Sequence, residues 1–363
     1  MSHVTGLIVI DAPASALNNA GRDEEARTEN AVAVKFIRAP EGRYPYVSAQ
    51  AIRYWLRTQL AKQDPSFASP VHREEKVAYT DANPAKYADD DLFGYMRAPG
   101  SLEAEKGARA KGLTPLDEEK RNGRLQPVSI TRVSPLRLGT LVAISAVRIT
   151  RDWGVMARLE GDPVIHEHQF YRAHLTAPIA TDLTCAGTFF DSARVGFRNL
   201  SAAGREAAVQ SGATEIHVHG LRAFRLPINE RRRRVAVVIR GIGALDGGAK
   251  QTLHLTDTAP AVLVLAVCRH GNQPFQRLFG PGNPTAFRED VLAEALRVFG
   301  SDIQSDVYIG WATGFLDVER RRLLDFVEQR GGQAPRVRVG HPHEMAEEFA
   351  RAIEDPERQS WFE

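Results

Sequence analysis

Short apolar runs separated by polar segments open the chain. Residues 4–11 (VTGLIVID) are apolar and partly β-branched over the length of a strand, and residues 31–38 (AVAVKFIR) repeat that character, so both predict strands. The polar stretch at 14–30 has no periodicity and predicts a loop. The chain is therefore expected to begin with a strand, a loop and a second strand.

The clearest helical pattern in the sequence comes next. Large apolar side chains recur at helical spacing over 52–60, and Ser48 is of a residue type that caps helix N-termini. Gln50, Arg53 and Arg57 lie away from this apolar stripe, and the two arginines are one turn apart. The pattern predicts an amphipathic helix with a polar, positively charged face.

The pattern changes after residue 61. Residues 62–127 are rich in Pro, Gly and charged side chains, with one aromatic island (DLFGYM) at 91–96. We expect residues 97–126 to be mobile or unstructured in isolation, because they hold almost no large apolar side chains whose burial would offset the ordering entropy. Further strands are predicted at 141–150, 183–190, 215–219, 221–226, 235–240, 261–267 and 307–311, and further helices at 287–299, 318–330 and 343–353.

With the insertions set aside, the order of elements follows the β-α-β-β-α-β plan. This is an α+β, ferredoxin-like sheet, which is also the RNA-recognition fold. We expect residues 1–61, 128–190 and 235–363 to form one discontinuous domain of this type, interrupted by insertions at 62–127 and 191–234. A doubly wound α/β domain is the main alternative, but it requires more helices between the strands than the pattern supplies.

The charge of the chain is unevenly distributed. Its 363 residues have a net charge of +2, 43% hydrophobic and 25% charged content, which is an ordinary globular composition. Between residues 191 and 240, however, ten arginines stand against four acidic residues, and beyond Val318 the acids outnumber the bases. A local basic stretch on a near-neutral protein indicates anion binding, and the alternative is a solvated, arginine-rich face.

Cysteine usage and hydropathy indicate the cellular compartment. Cys185 and Cys268 lie far apart in apolar runs, which excludes a disulfide framework or a Cys-rich zinc site and suits a reducing cytosol. No apolar run reaches the length of a membrane span, and the first residues lack a secretory pattern. We therefore expect a cytoplasmic protein without a membrane partner.

Three polar motifs have the chemistry to hold a phosphate backbone. Asn18 and Asn19 belong to a loop sequence whose Asn and Gly residues favour tight turns with exposed N–H groups. The helix that begins after Ser48 offers N–H donors, a positive dipole end and arginines. The segment GGAKQ at 247–251 lets backbone approach a strand beside a lysine. Each motif alone also has an ordinary structural explanation, as a turn, a capped helix or a surface loop.

Together, these motifs resemble the Cas-seven family, the backbone subunits of type I CRISPR surveillance (Cascade) complexes. The resemblance rests on Leu17-Asn18, on YPYVSAQAIR at 44–53, on DLFGY at 91–95 and on GGAKQ at 247–251. The wider pattern is similar to the DevR-type branch, which is associated with type I-B and related systems. The match covers the first sixty residues well and the later motifs loosely.

The resemblance implies a hand-like subunit without enzymatic activity. The palm would be the RNA-recognition domain, residues 62–127 a partly mobile fingers insertion, and residues 191–234 a basic thumb hairpin. Copies would line up as a helical filament on the CRISPR RNA and present its bases to a target DNA strand. The expected partners are the CRISPR RNA, the paired target DNA, further copies of this chain, and the large, 5′-end-capping and guide-processing subunits. The expected RNA contacts are Asn18, Asn19, Lys35, Arg38, Ser48, Gln50, Arg53, Arg57, Arg222, Arg225, Lys250 and Gln251.

The basic insertion also contains large apolar side chains. They are candidates for a wedge that separates bases where the strand is kinked, or for a small core of the thumb itself, and spacing does not distinguish the two. The strand at 4–11 lacks the aromatics on which RNA-recognition domains stack bases, so contact with the RNA backbone is expected instead. The candidate wedge residues are Phe197, Leu221, Phe224 and Leu226.

No catalytic residue, metal site or cofactor is predicted. The His-x-His pairs at 166–168, 217–219 and 341–343 lack a third ligand at a suitable spacing. Scattered carboxylates such as Asp11 and Asp191 are most simply solvated.

Two other functions are compatible with the sequence. One is a metal-dependent RNA endonuclease, because related backbone subunits of type III complexes cleave paired target RNA with a loop aspartate, for which Asp23 is the position here. The other is a phosphate-binding α/β enzyme, which would need a small-molecule pocket.

Overall fold

A computed structural model describes residues 1–22, 31–74, 77–156, 164–194, 196–282 and 285–363. Short 3₁₀ helices lie at Pro65–Phe67 and Pro356–Phe362. The helices are α1 Ala49–Gln63, α2 Ala88–Phe93, α3 Leu102–Ala110, α4 Ala202–Gln210, α5 Ile228–Gly243, α6 Gln251–His254, α7 Glu289–Val298, α8 Asp317–Arg330 and α9 Pro342–Glu354. The strands are β1 His3–Ser15, β2 Asn19–Arg22, β3 Ala31–Val34, β4 Phe36–Ala39, β5 Gly42–Val47, β6 Val71–Glu74, β7 Val77–Thr80, β8 Tyr95–Arg97, β9 Glu118–Arg121, β10 Arg124–Pro127, β11 Ile130–Arg132, β12 Leu136–Leu138, β13 Leu141–Ala143, β14 Thr150–Met156, β15 Val164–Asp182, β16 Thr188–Phe190, β17 Thr214–Val218, β18 Leu221–Arg225, β19 Val262–Cys268, β20 Phe279–Gly280, β21 Ala286–Phe287, β22 Val307–Trp311 and β23 Val337–Gly340.

The central sheet has the predicted ferredoxin-like plan. Its strands follow the order β23-β22-β19-β1-β15-β13-β5-β4, and β1 is antiparallel to both β15 and β19. The helix α1 follows β1, and α5 connects β15 to β19. The β1-α1-β13-β15-α5-β19 core therefore has the spatial order 4-1-3-2 that the β-α-β-β-α-β plan requires, within an α+β fold.

Two of the core elements differ from their predicted type. The segment 235–240, predicted as a strand, lies inside α5, and this helix takes the second helix position that the sequence pattern had given to 287–299. The apolar run VAVVI is short, and a run of that length does not distinguish a buried helix from a strand. The predicted strand at 183–190 is largely a turn, and only its last residues form β16.

Both faces of the sheet are covered by helices. In β1, Ile8 and Ile10 point to one face and pack among side chains of α1, α5 and α9. Leu7 and Val9 point to the other face and join a second core with residues of α7 and α8. This alternation follows from the two-residue period of a strand, and burial on both faces explains why β1 reads as a continuous apolar run.

The insertion at 62–127 contains more secondary structure than its composition predicts, and the mobility expected for residues 97–126 in isolation stays a prediction. It contains α3 and the β9–β10 hairpin. Buried ion pairs replace a large apolar core: Arg97 and Glu105 are both fully buried, and Arg97 Nη2 lies 2.9 Å from Glu105 Oε2. Charged side chains that bond each other are invisible to an apolar-pattern prediction.

The basic insertion contains the expected hairpin, formed by β17 and β18, with β16 as a third strand. The helix α4 packs on this sheet. The predicted end of the basic insertion at residue 234 falls inside a helix, because residues 228–234 form the first two turns of α5.

Candidate nucleic-acid interface

Parts of the three segments singled out in the sequence line one groove, and of the twelve predicted RNA contacts, all of which the structure describes, Asn18 alone belongs to that lining. The groove has a volume of about 360 Å³ and is lined by the first loop, by one face of α1 and by the Gly-rich loop. Backbone bonds join the motifs, since Ala249 N donates to Leu17 O at 3.0 Å and Lys35 N donates to Asn18 O at 3.1 Å. Segments more than 200 residues apart in sequence thus share a single surface. The lining residues are Leu17, Asn18, Ala51, Tyr54, Trp55, Thr58, Gln59, Lys62, Asp246, Gly247, Gly248 and Ala249.

Two glycines allow the loop to approach this closely. A Cβ on Gly247 would lie 2.3 Å from Cγ of Trp55, and a Cβ on Gly248 would lie 2.7 Å from Cδ2 of Leu17. Gly248 also has φ +106°, a conformation that L side chains rarely adopt. A side chain at either position would push the loop away from the groove.

Two glutamines fix the loop from both sides. Gln59 donates to the carbonyl of Ala244 at 2.7 Å and accepts from the N–H of Asp246 at 3.0 Å. Gln251 donates to the carbonyls of Gly247 and Thr256. The amide nitrogen of Gln251, a predicted RNA contact, is therefore already hydrogen-bonded within the protein.

Polar atoms without a partner occur in the groove and in residues next to it. Asn18 Nδ2 in the lining, Asn19 Oδ1 in the following residue and Oε1 of Gln251, which bonds the lining residue Gly247, are buried and make no hydrogen bond within the described residues. A buried polar atom that stays unpaired costs about 1–3 kcal/mol, which a ligand that paired it would offset.

Arg53 and Arg57 are engaged inside the protein. Nη1 of Arg53 donates to the Leu136 carbonyl at 2.8 Å, Nη2 donates to the Phe93 carbonyl, and burial lowers the pKa of this guanidinium. Arg57 forms an ion pair with Asp89, with Nε 2.8 Å from Oδ2. Both arginines thus tie α1 to neighbouring segments, and their contact with RNA stays a prediction.

Ser48, Gln50, Arg38 and Lys250 do not belong to the groove lining. Ser48 is the N-cap of α1, as predicted, and accepts from the N–H of Ala51. Gln50 and Arg38 are exposed, and Arg38 stacks on the ring of Phe36 at 5.4 Å. Lys250 is half-buried in a left-handed conformation at the end of the Gly-rich loop.

Four of the ten arginines in the run 191–240 make contacts inside the protein. Arg231, Arg232 and Arg234 are each 3% exposed and belong to α5. Arg240 forms ion pairs with Glu347 and Glu354 of α9, both at 2.7 Å. These four side chains hold helix α5 in place, and anion binding by the rest of the run stays a prediction.

Arg222 and Arg225 lie on the separate sheet of the basic insertion. Arg222 is exposed and pairs with Glu215 at 2.8 Å. Arg225 donates to Oγ1 of Thr188, and burial lowers the pKa of its guanidinium. The structure does not bring these two residues to the groove.

Two of the four candidate wedge residues belong to a small core. Phe224 and Leu226 are 4% and 3% exposed and pack with Phe189 and Leu200. Phe197 is half-buried against Phe190, with ring centroids 5.1 Å apart, and Leu221 is half-buried. Buried side chains cannot enter a base stack, so Phe224 and Leu226 are removed from the wedge.

Exposed apolar side chains occur instead on a hairpin that the sequence analysis did not single out. Strands β14 and β15 pair from Thr150↔Phe170 to Met156↔Val164. Trp153 is 49% exposed, Val155 60% and Ile165 49%. The sequence analysis also missed Tyr54, which lines the groove and is 67% exposed. Its position outside the apolar stripe of α1 could have indicated an exposed aromatic ring.

Carboxylates and histidines do not assemble into a metal site in the described part of the chain, which contains no group of three or more potential ligands. Asp11 lies 3.5 Å from His174 and 3.6 Å from Arg172, and Asp191 pairs with Arg205 and Arg222. Asp23 lies outside the described residues. No helix in the described residues is long and apolar enough to cross a membrane.

Comparison with known proteins identifies the fold. No known family and no curated protein matches the sequence. Among solved structures, a chain of an assembly described as a CRISPR RNA-guided surveillance complex aligns with a TM-score of 0.50, covering 96% of this chain and 99% of that chain. A chain of a CRISPR RNA-guided surveillance complex in a pre-nicking state aligns with a TM-score of 0.52, covering 97% and 100%. Both are 10% identical to this chain. The protein therefore has the fold of subunits found in such complexes, along essentially its whole length.

Proposed function

We propose that this chain is a non-enzymatic backbone subunit of a CRISPR surveillance complex that binds the guide RNA along its sugar–phosphate backbone. The observation that carries this proposal is the groove between the first loop, α1 and the Gly-rich loop, where Asn18 Nδ2 is buried and unpaired. The fold, shared with chains of CRISPR RNA-guided surveillance complexes, supports it. The Cas-seven resemblance and its DevR-type, I-B-like pattern belong to the same proposal.

The groove has the chemistry of backbone rather than base recognition. An amide nitrogen such as Asn18 Nδ2 donates to a phosphate oxygen, and an amide oxygen accepts from a ribose hydroxyl. Lys62 supplies positive charge in the lining, Lys250 follows the lining residue Ala249 in the chain, and the exposed ring of Tyr54 offers a face for a sugar or a base. A guide held in this way keeps its bases available for pairing with a target strand.

In this proposal, the β14–β15 hairpin is the wedge that separates the bases. Trp153, Val155 and Ile165 are exposed apolar side chains, and such side chains inserted between bases unstack them. Exposing three neighbouring apolar side chains to water is unfavourable in free energy. Contact with RNA bases or with a neighbouring copy would bury them.

Assembly on RNA tests the proposal. We expect the purified chain to coat unstructured RNAs of 15, 30 and 45 nucleotides with a copy number that rises in proportion to length, counted by native mass spectrometry. Trp153→Ser combined with Ile165→Ser should reduce the copy number on the longer RNAs while single copies still bind. Val71→Ser, which changes another exposed apolar residue on a different hairpin, is the matched control and should assemble normally.

Two results would contradict the proposal. A single copy on RNA of every length would exclude a backbone subunit. Cleavage of a matched target RNA by the assembled complex with Mg²⁺, abolished by Asp23→Ala, would establish the endonuclease instead.

A further inference from the structure

Three aromatic rings of β15 and one of α6 lie next to one another beside the β14–β15 hairpin. The register pairs Asp152 with His168 and Gly154 with His166, so the two histidines lie on the same face of β15. Their rings are stacked, with centroids 6.3 Å apart and planes at 17°. A Cβ on Gly154 would lie 2.1 Å from Nε2 of His166, which means that this imidazole lies directly over the glycine backbone.

The third histidine comes from α6, which follows the Gly-rich loop. This short helix begins after Lys250 and ends at His254, whose ring lies 5.5 Å from Phe170 and 6.1 Å from His168. Nε2 of His254 is buried and makes no hydrogen bond within the described residues. We call this series, Phe170, His254, His168 and His166, the histidine column. It joins α6 to the hairpin.

The charges around the column make it sensitive to protonation. Burial, His168 and Lys250 lower the pKa of His254, and Asp152 opposes them. His168 faces the same Asp152, with Nε2 3.5 Å from Oδ2. Because neighbouring cations repel, protonation of His254 is disfavoured beside Lys250, and a phosphate placed there would relieve that repulsion.

We propose that the histidine column is a proton-dependent contact for the phosphate backbone of RNA, so that the chain binds RNA more tightly at mildly acidic pH. This rests on the proposed function and adds a regulated contact to it. An imidazole whose pKa rises when phosphate binds takes up a proton with the ligand. The extra affinity is complete below the pKa of the unbound column and is lost as pH rises through the pKa of the RNA-bound column.

The experiment measures affinity against pH. Binding of a fluorescein-labelled 30-nucleotide uridine RNA to the full chain is followed by anisotropy at pH 6.0, 7.0 and 8.0, at constant ionic strength and with EDTA. We expect binding roughly tenfold tighter at pH 6.0 than at pH 8.0, since each unit by which a pKa rises on binding contributes a factor of ten. His168→Gln with His254→Gln should remove most of this difference. His217→Gln, on an exposed position of β17, is the matched control and should retain it.

A second measurement does not depend on how a variant folds. Calorimetry of the wild-type chain in buffers of different ionisation enthalpy should show net proton uptake when RNA binds at pH 6.5. Tight binding that is equal at all three pH values, without proton uptake, would overturn the histidine column and leave the proposed function standing. A pH response kept in full by the folded double variant would also overturn it. Absence of RNA binding at every pH would overturn both.

Discussion

Arg234 illustrates how this protein uses arginine. Its side chain is 3% exposed, and Nη1 donates to the carboxylate of Asp91 at 2.9 Å and to the carbonyl of Pro84 at 2.6 Å. Asp91 is itself fully buried and also accepts from Arg132 and from the N–H of Gly187. A buried guanidinium of this kind is stabilising only because each charged atom has a partner.

Neighbouring arginines of α5 should therefore differ sharply in their effect on stability. Arg234→Met removes one of the two guanidinium partners of the buried Asp91 carboxylate, leaving its Oδ2 with the Gly187 N–H, and should lower the free energy of unfolding by about 3 kcal/mol. Arg233 is the control, because its side chain is 52% exposed and pairs with Glu230 at the surface. Arg233→Met should cost less than about 1 kcal/mol. Urea unfolding followed by circular dichroism measures both, and equal effects would show that burial does not decide the role of these arginines.

At the scale of elements, α3 shows how a segment with little apolar surface is ordered. Glu105 is fully buried and accepts from Arg97 Nη2 at 2.9 Å, from Arg109 Nε at 3.1 Å and from the N–H of Leu116 at 2.9 Å. One carboxylate thus connects the helix to β8 and to the chain that follows it. The order of this part of the insertion depends on a few charged contacts.

Removing that charge should loosen α3 without unfolding the palm. Glu105→Gln weakens the contacts to Arg97 and Arg109, so trypsin should cleave at Arg109 or Lys111 several-fold faster than in the wild type. Glu103→Gln changes an exposed glutamate of the same helix and should leave the cleavage rate unchanged. Mass spectrometry of the first fragments identifies the sites. First cuts that are as slow in Glu105→Gln as in the wild type would show that apolar packing, not Glu105, orders the segment.

The whole molecule is built on one sheet that separates two cores. Trp55 lies in the core on the α1 face, and Trp311 lies in the core on the opposite face. The strands β1 and β19 contribute side chains to both. Loss of either core would leave those strands half solvated, so the two cores should depend on each other.

Unfolding should consequently be a single transition for both faces. In a chain whose other tryptophans are replaced by phenylalanine, the fluorescence of Trp55 alone and of Trp311 alone should report the same urea midpoint, and circular dichroism should coincide with both. The phenylalanine background itself is checked against the wild type for its midpoint. Separate midpoints would mean that one face unfolds while the sheet persists.

Much of the palm could be predicted from the sequence because its elements carry strong periodicity. The strands β1, β19 and β22 are short apolar runs, and α1, α8 and α9 lie within a few residues of their predicted bounds. The three polar motifs of the groove were also identifiable, since Asn, Gly and a helix cap have local conformational signatures.

The partners of charged side chains could not be predicted, because they are set by what packs against each element. An arginine on the polar face of an isolated helix reads as solvated, yet Arg53 and Arg234 meet carbonyls and carboxylates from segments distant in sequence. The same reason underlies the error at 235–240, where a short apolar run fits either a strand or a buried helix until its neighbours are known.

The sequence by itself thus determined the α+β plan, the first strand and helix, and the residue types that meet at the groove. Only the tertiary structure decided which of those residues still have unpaired polar atoms and which are engaged internally, and that the histidines of β15 meet one from the Gly-rich loop. The physical reason is the distance along the chain over which each effect acts. Periodicity and capping act within a few residues, whereas hydrogen bonds inside this protein join residues 150 and 187 positions apart.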